Sequence, residues 1–376
     1  MIGALLGGSL AAWWVERGRE DAPQVAVEGR GGEQGRRPDP RGGDGEGPGQ
    51  PSGEGVGGEA TLLRPPQLSD TGSAAEAEPP LQEGDVVLIS EAPGRVVELP
   101  DSAWPMLMVP SPVGWTGRIT DLVATQGRLA WVHSDGKRRV VVSWSALHGA
   151  REVPGSEGGH SPFFVGPQLW WLKGNEVRHE GGEGPVVALV GPAALRDPAV
   201  FTGGFSLVVG DHAIEVFDGR GQGLARLDLP ERLGAMAWRE EEMVFTRHTP
   251  GDADLWSQVG GVLTPLADSP ISEIRPTVDG GRLLWFAEAE PGSWDLVGDG
   301  EVLAERVLLP TRQGPSVRGG VVVVAAEAPG TLLLVGDETV EVVTGLDWVA
   351  DPVFLADRVA FSGPGGLYVL GPVSTN

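Results

Sequence analysis

The chain has 376 residues, no cysteine, and a formal charge of −24 at pH 7, from 52 acidic and 28 basic side chains. The lack of cysteine excludes disulfides, thiolate zinc sites, cysteine nucleophiles and a lipidated-cysteine anchor. The acidic balance argues against a nucleic-acid backbone as a partner, because binding there rests on basic patches.

Read from its start, the chain divides into three parts. Ile2–Val15 is an uncharged run that ends in Trp13-Trp14-Val15. A spanning helix needs about 20 apolar residues and a signal-peptide core about 7–15 behind a basic region. No Lys or Arg precedes this run, and no small-x-small cleavage site follows it. The two tryptophans suit a membrane interface. Residues 1–15 are therefore expected to be a hydrophobic anchor or signal-like segment, with a sticky tail as the bland alternative. Residues 16–82 are dense in Gly and Pro, and the stretch 29–59 within them has almost no apolar side chains. Such a segment cannot bury enough surface to offset the entropy of ordering, so it reads as a disordered linker. Residues 83–376 are the expected folded domain.

A phrase recurs through that domain. PTVDGGRLLWF begins at Pro276, PSVRGGVVVVA at Pro315 and PVFLADRVAF at Pro352; looser copies begin at Pro162, Pro198 and Ala235. Successive starts lie 36, 37, 41, 39 and 37 residues apart. A period of this length, built from short apolar runs and Gly turns, marks a blade-type repeat. In the copy at 276–310, Pro276–Val278 is expected as a short inner strand with Pro at its first position, where a missing N–H is tolerated. Asp279-Gly280-Gly281 is a hairpin turn. Arg282–Ala287 is a strand buried on both faces, Trp294–Val297 a third strand, and Glu301–Leu308 an alternating outer strand. That is a four-stranded antiparallel meander.

The same grammar predicts second strands at Arg128–His133, Gln168–Lys173, Phe205–Val209, Glu242–Arg247, Gly320–Ala325 and Arg358–Phe361. In the copy from Pro162, the third strand is either Glu176–His179 or Val186–Leu189. The expected fold is all-β: a β-propeller of four-stranded antiparallel blades. The count is seven, or six or eight if one boundary is misread. The last copy ends too soon for its fourth strand, and the hairpin Gly84–Leu99 is expected to supply it and close the ring, leaving no edge strand.

Pro276–Phe286 and Asp254-Leu255-Trp256 resemble the TolB-type propeller repeat, a WD-repeat-like unit. Trp294-Asp295-Leu296 and Gly366-Leu367-Tyr368 echo its last element. The resemblance runs over about residues 119–370, and the Asp-Gly turn of the repeat is lost at Arg318-Gly319. It implies a propeller, often exported and often used for protein contacts. The family also includes propellers fused to peptidase domains and some lyases.

No metal-ligand spacing, nucleophile elbow or phosphate-cradling loop occurs in the chain, so no metal, no cofactor and no catalytic residue is expected. His133 and His248 stand at one repeat position, just after the second strand. With Lys173, His212, Arg247 and Glu288 they fall near the channel face and are candidate binding residues there. Trp104, Met106, Met108 and Trp115 form a second candidate, an apolar contact patch if exposed. The tryptophans on second and third strands, Trp131, Trp170, Trp171 and Trp285 among them, are expected to pack between blades. The function expected is a non-catalytic, membrane-tethered, extracytoplasmic propeller of the cell envelope or periplasm. It would bind a protein or an envelope polymer, with the membrane contacted through the N-terminal segment. The alternative is a propeller enzyme, a lyase or hydrolase, with a polar site at the channel face.

Overall fold

The computed structural model describes residues 106–109 and 117–371, except 126, 182, 183, 268, 337–339, 364 and 365, together with the backbone of 95–97. The expected anchor (1–15) and linker (16–82) lie outside the described residues. So do residues 83–94 and Trp104 and Trp115.

Every described regular element is a β-strand. Sheet I holds β3 (Arg118–Thr125), β4 (Arg128–Ser134), β5 (Arg139–Ser145) and β6 (Gly149–Glu152), paired in that order. Sheet II holds β7 (His160–Val165), β8 (Gln168–Lys173), β9 (Glu176–His179) and β10 (Val186–Val190). Sheet III holds β11 (Leu195–Phe201), β12 (Gly204–Val209), β13 (Ala213–Asp218) and β14 (Gly223–Asp228). Sheet IV holds β15 (Arg232–Arg239), β16 (Glu242–Thr249), β17 (Asp252–Val259) and β18 (Val262–Ala267).

Sheet V contains two such units. The first is β19 (Glu273–Asp279), β20 (Arg282–Glu290), β21 (Ser293–Gly298) and β22 (Glu301–Leu308). The second is β23 (Ser316–Arg318), β24 (Val321–Ala326), β25 (Leu332–Val335) and β26 (Val340–Val343). They are joined where Val307 and Leu308 of β22 pair with Ala326 and Ala325 of β24. Sheet VI runs β27 (Ala350–Leu355), β28 (Arg358–Gly363), β29 (Gly366–Leu370), β2 (Met106–Val109) and β1 (Arg95–Val97). All pairings are antiparallel.

The strand chemistry follows from what covers each strand. All six residues of β12 are buried. A strand buried on both faces needs apolar side chains on both, which is why the second strands read as continuous apolar runs and not as alternation. Outer strands alternate or are exposed; β26 shows three exposed residues and one buried. The turn Gly280-Gly281 has φ of 56° and 92°. Two successive positive φ values define the hairpin turn that matches strand twist, and glycine reaches them without strain.

The core lies between sheets. Trp131 and Val142 of sheet I pack with Leu107, Ala360 and Val369 of sheet VI. Ala130 and Val141 meet Leu169 and Trp171 of sheet II. Trp170 and Phe163 meet Phe205 and Phe217 of sheet III, with Trp170 and Phe205 ring centroids 5.2 Å apart. The expectation that the strand tryptophans pack between sheets holds for Trp131, Trp170, Trp171 and Trp285, all buried. Each large side chain so buried contributes about 1.5–3 kcal/mol by removal from water.

The first strands of neighbouring units touch in sequence: β3 with β7, β7 with β11, β11 with β15, β15 with β19, β19 with β23, and β23 with β27. β27 in turn touches β3.

Two expectations need correction, and one open alternative, the third strand of sheet II, is decided. The strand beside β29 is Met106–Val109 and not the segment Gly84–Leu99; Arg95–Val97 lies one strand further out. The physical reason is burial on both faces: Met106, Leu107 and Val109 are all buried, so this position demands an apolar tetrad. In sheet II the third strand is Glu176–His179, and Val186–Val190 is the outer one. Pro276 does not begin its strand, since β19 starts at Glu273. It sits in a bulge between Ile274 and Thr277. A bulge frees the proline from donating to the ladder.

Candidate functional site

The bulge is common to the repeats. First strands β3, β7, β11, β15, β19 and β27 each break register at the same place. Two residues occupy each break: Asp121-Leu122, Ser161-Pro162, Asp197-Pro198, Gly234-Ala235, Arg275-Pro276 and Asp351-Pro352. Gly314-Pro315 stands in the matching place before β23. The recurring proline thus marks the second bulge residue. The first has φ of 55° at Asp121, 45° at Ser161, 49° at Asp197, 57° at Arg275 and 48° at Asp351. Non-glycine residues held there cost of order 1–3 kcal/mol each and persist only where surrounding contacts enforce them. Gly314 has no room for a side chain, because a Cβ would run into Thr277 Oγ1 and the carbonyls of Arg275 and Pro276.

Five polar or charged side chains are brought together in this way. Asp121, Ser161 and Asp197 line a cavity of about 390 Å³ whose wall is formed by the first strands. Its apolar lining includes Val123, Phe163, Phe164, Met236, Trp238 and Phe354. Arg312, on the segment 309–315 between β22 and β23, also lines it. Arg312 Nη1 donates to Ser161 Oγ at 3.2 Å, and its Nε lies 3.6 Å from Asp121 Oδ1. Asp121 Oδ2 accepts from the Ser161 N–H at 3.1 Å. Arg275 donates to the carbonyls of Pro310 and Thr311. Asp351 accepts from the Thr311 N–H and, at 2.6 Å, from its hydroxyl. Asp197 pairs with Arg196, which also donates to the Leu233 carbonyl and to Asp211.

Burial and charge tune the titrating groups. Burial pushes the Asp121 carboxyl up; Arg312 and the Ser161 N–H oppose this, and Asp351 adds to it. Burial pulls His160 down to about 4, assisted by Arg312 and Arg139 and opposed by Asp197. His248 moves down for the same reason, with Arg232 and Arg196 nearby. Burial also lowers Arg275, against Asp351 and Asp197.

The residues expected at the channel face are placed as follows. His212 and Arg247 meet at Glu231: His212 Nδ1 contacts its carbonyl at 3.0 Å and Arg247 pairs with its carboxylate. Arg247 also stacks over Trp256, 4.3 Å from the ring centre. His248 stands next in β16, paired with Arg232. His133 is buried on β4 opposite Ile119, and burial lowers its pKa. Lys173 ends β8 opposite Glu176. Glu288 accepts from the Gly292 N–H at 2.8 Å within its own turn. His133, Lys173 and Glu288 thus lie on three other sheets.

In the expected apolar patch, Met106 is buried against Val323, Phe354 and Phe361, so it packs within the protein. Met108 is half-buried opposite Tyr368.

The bulge residues and Arg312 are missing from the sequence-based set. A signal for four of them was present, since a polar residue directly precedes the repeated proline in Ser161-Pro162, Asp197-Pro198, Arg275-Pro276 and Asp351-Pro352. Among the described residues no group of three or more His, Asp or Glu is placed to hold a metal.

Repeated four-stranded antiparallel units that touch through their first strands define a β-propeller. No protein-family model matches the chain, and no curated protein matches its sequence. Solved structures share its fold. The β-propeller domain of the Trilobed protease from Pyrococcus furiosus, which has an open velcro topology, is 14% identical with a TM-score of 0.53, over 69% of this chain and 98% of that one. The WD40 β-propeller domain of Doa1 is 14% identical with a TM-score of 0.53, over 72% and 98%. The Pyrococcus horikoshii acylaminoacyl peptidase is 14% identical with a TM-score of 0.54; 69% of this chain matches 52% of that enzyme, about half its length. At these identities the likeness is one of fold.

Proposed function

We propose that the protein is a seven-bladed propeller of the TolB type, its ring closed by β2, that acts as a non-catalytic binding module. Its channel face, with Lys173, His212, Arg247, His248 and Glu288 around the mouth, would hold a protein or an envelope polymer. Ile2–Val15 and the linker would tether it to a membrane outside the cytoplasm.

The carrying observation is the polar ring at the cavity and its electrostatics. One arrangement there favours the rival enzyme reading: His160 Nδ1 lies 3.2 Å from Ser161 Oγ, within proton-transfer reach. The charges work against it. A histidine held at about 4 is a weak base at neutral pH, and Arg312 and Arg139 oppose the imidazolium that proton uptake would create. Arg312 also occupies the same hydroxyl. The pair suits a fixed hydrogen-bonded wall better than a proton relay.

Two experiments test this reading. Photo-crosslinking from position 173 or 212 of the full chain in cells should capture one specific partner, and full-length protein should fractionate with membranes. Recovery only in the cytosol would reject the tether and the extracytoplasmic placement. Labelling of Ser161 by a fluorophosphonate probe, absent in Ser161→Ala, would reverse the choice in favour of the hydrolase.

A further inference from the structure

The cavity among the first strands is lined by a carboxylate with unused acceptor capacity. Asp121 is 4% exposed, yet its Oδ1 accepts no hydrogen bond among the described residues. Its facing charge, Arg312 Nε, stands 3.6 Å away, outside hydrogen-bond range. An ionised carboxylate can accept about four hydrogen bonds, and the N–H of Ser161 supplies one.

Arg312 is held differently from the segment that carries it. The backbone at Pro310 and Thr311 is fastened by Arg275 from β19 and by Asp351 from β27. Neither fastening uses the Arg312 side chain, which is 43% exposed. The guanidinium can therefore leave Asp121 while the segment stays in place. Its departure would leave Asp121 beside Asp351, two like charges next to the cavity, a field that favours a replacement cation. The apolar wall of Val123, Phe163, Phe164 and Met236 suits an alkyl stem behind that cation.

We infer that Asp121 and the adjoining cavity form a receptor for an alkyl cation, a guanidinium or ammonium on a short apolar stem, and that Arg312 is its tethered, exchangeable occupant. The inference rests on the binding function proposed above for the source of the cation, an Arg or Lys side chain of the partner. It rests on the cavity alone for the chemistry.

The test uses the full chain and agmatine, an alkylguanidinium, measured by titration calorimetry. Arg312→Ala is expected to bind agmatine saturably and at least tenfold more tightly than the unaltered protein. Arg312→Ala combined with Asp121→Asn is expected to lose that binding. Arg312→Met, which keeps the apolar stem, serves if the alanine variant folds poorly. No saturable binding by a folded Arg312 variant, or binding indifferent to Asp121→Asn, overturns the receptor. A peptide with one arginine that competes with agmatine supports a side chain of a partner as the source. Partner capture in cells that survives Asp121→Asn removes the partner as the source of the cation and leaves the binding function standing. Agmatine binding without any captured partner upholds the receptor and removes the binding function.

Discussion

His160→Gln tests the electrostatics around Ser161 and Arg312. In the folded protein His160 sits at about 4, against 6.5 for an ordinary histidine, because burial and the nearby Arg312 and Arg139 penalise its charged form. That difference corresponds to about 3 kcal/mol between the folded and unfolded affinities for the proton. The folded value is the lower one, so the unfolded chain binds the proton first. Above an unfolded pKa of about 6.5 neither state is protonated and the residue contributes nothing to pH dependence. As the pH falls from about 6.5 to about 4, stability is lost, up to the same 3 kcal/mol or so. Glutamine retains a polar contact for the Ser161 hydroxyl and does not titrate. Urea unfolding followed by tryptophan fluorescence, between about pH 7.5 and pH 4, should show the unaltered protein losing about 3 kcal/mol more than His160→Gln. His133 and His248 are also shifted down and act in both proteins, so the difference isolates His160. Parallel stability curves for the two proteins would refute the assignment of a buried, neutral His160 beside Arg312.

Other positions give simpler readouts. Glu240 has a φ of 54° in an exposed turn, so Glu240→Gly should raise stability by about 1 kcal/mol, seen as a higher Tm. Gly314→Ala should cost about 2 kcal/mol or more in urea unfolding, because the new Cβ meets Thr277 and two backbone carbonyls that cannot move aside cheaply. Leu107 is 1% exposed and packs against Trp131 and Val369, so Leu107→Ala should cost about 2–5 kcal/mol. A melting temperature unchanged by Leu107→Ala would remove β2 from the folded core.

Much of the strand pattern was legible because it is local. β8 runs from Gln168 to Lys173, as its apolar run and flanking turns predict. The Gly280-Gly281 turn follows from two residues that alone tolerate two positive φ values cheaply. The repeated proline was equally plain, but its meaning was not. Proline is allowed both at a strand start and in a bulge, and the chain pattern does not distinguish them. Only the ladder registers show that the residue before it is the first of two held in a bulge.

The sequence by itself determined the kind of fold, since a repeat period and two-face burial are written in consecutive side chains. Tertiary structure decided everything that depends on distant partners. Met106–Val109 takes the place beside β29 because burial on both faces selects an apolar tetrad over the more hairpin-like segment upstream. Arg312 meets Ser161 across 151 residues of sequence, and Asp121 meets Arg312 across nearly two hundred. Such contacts leave no periodic mark in the chain. They arise because the bulges at Asp121 and Ser161 bring polar side chains to one cavity, where burial makes a nearby opposite charge or hydrogen-bond donor more favourable than isolation.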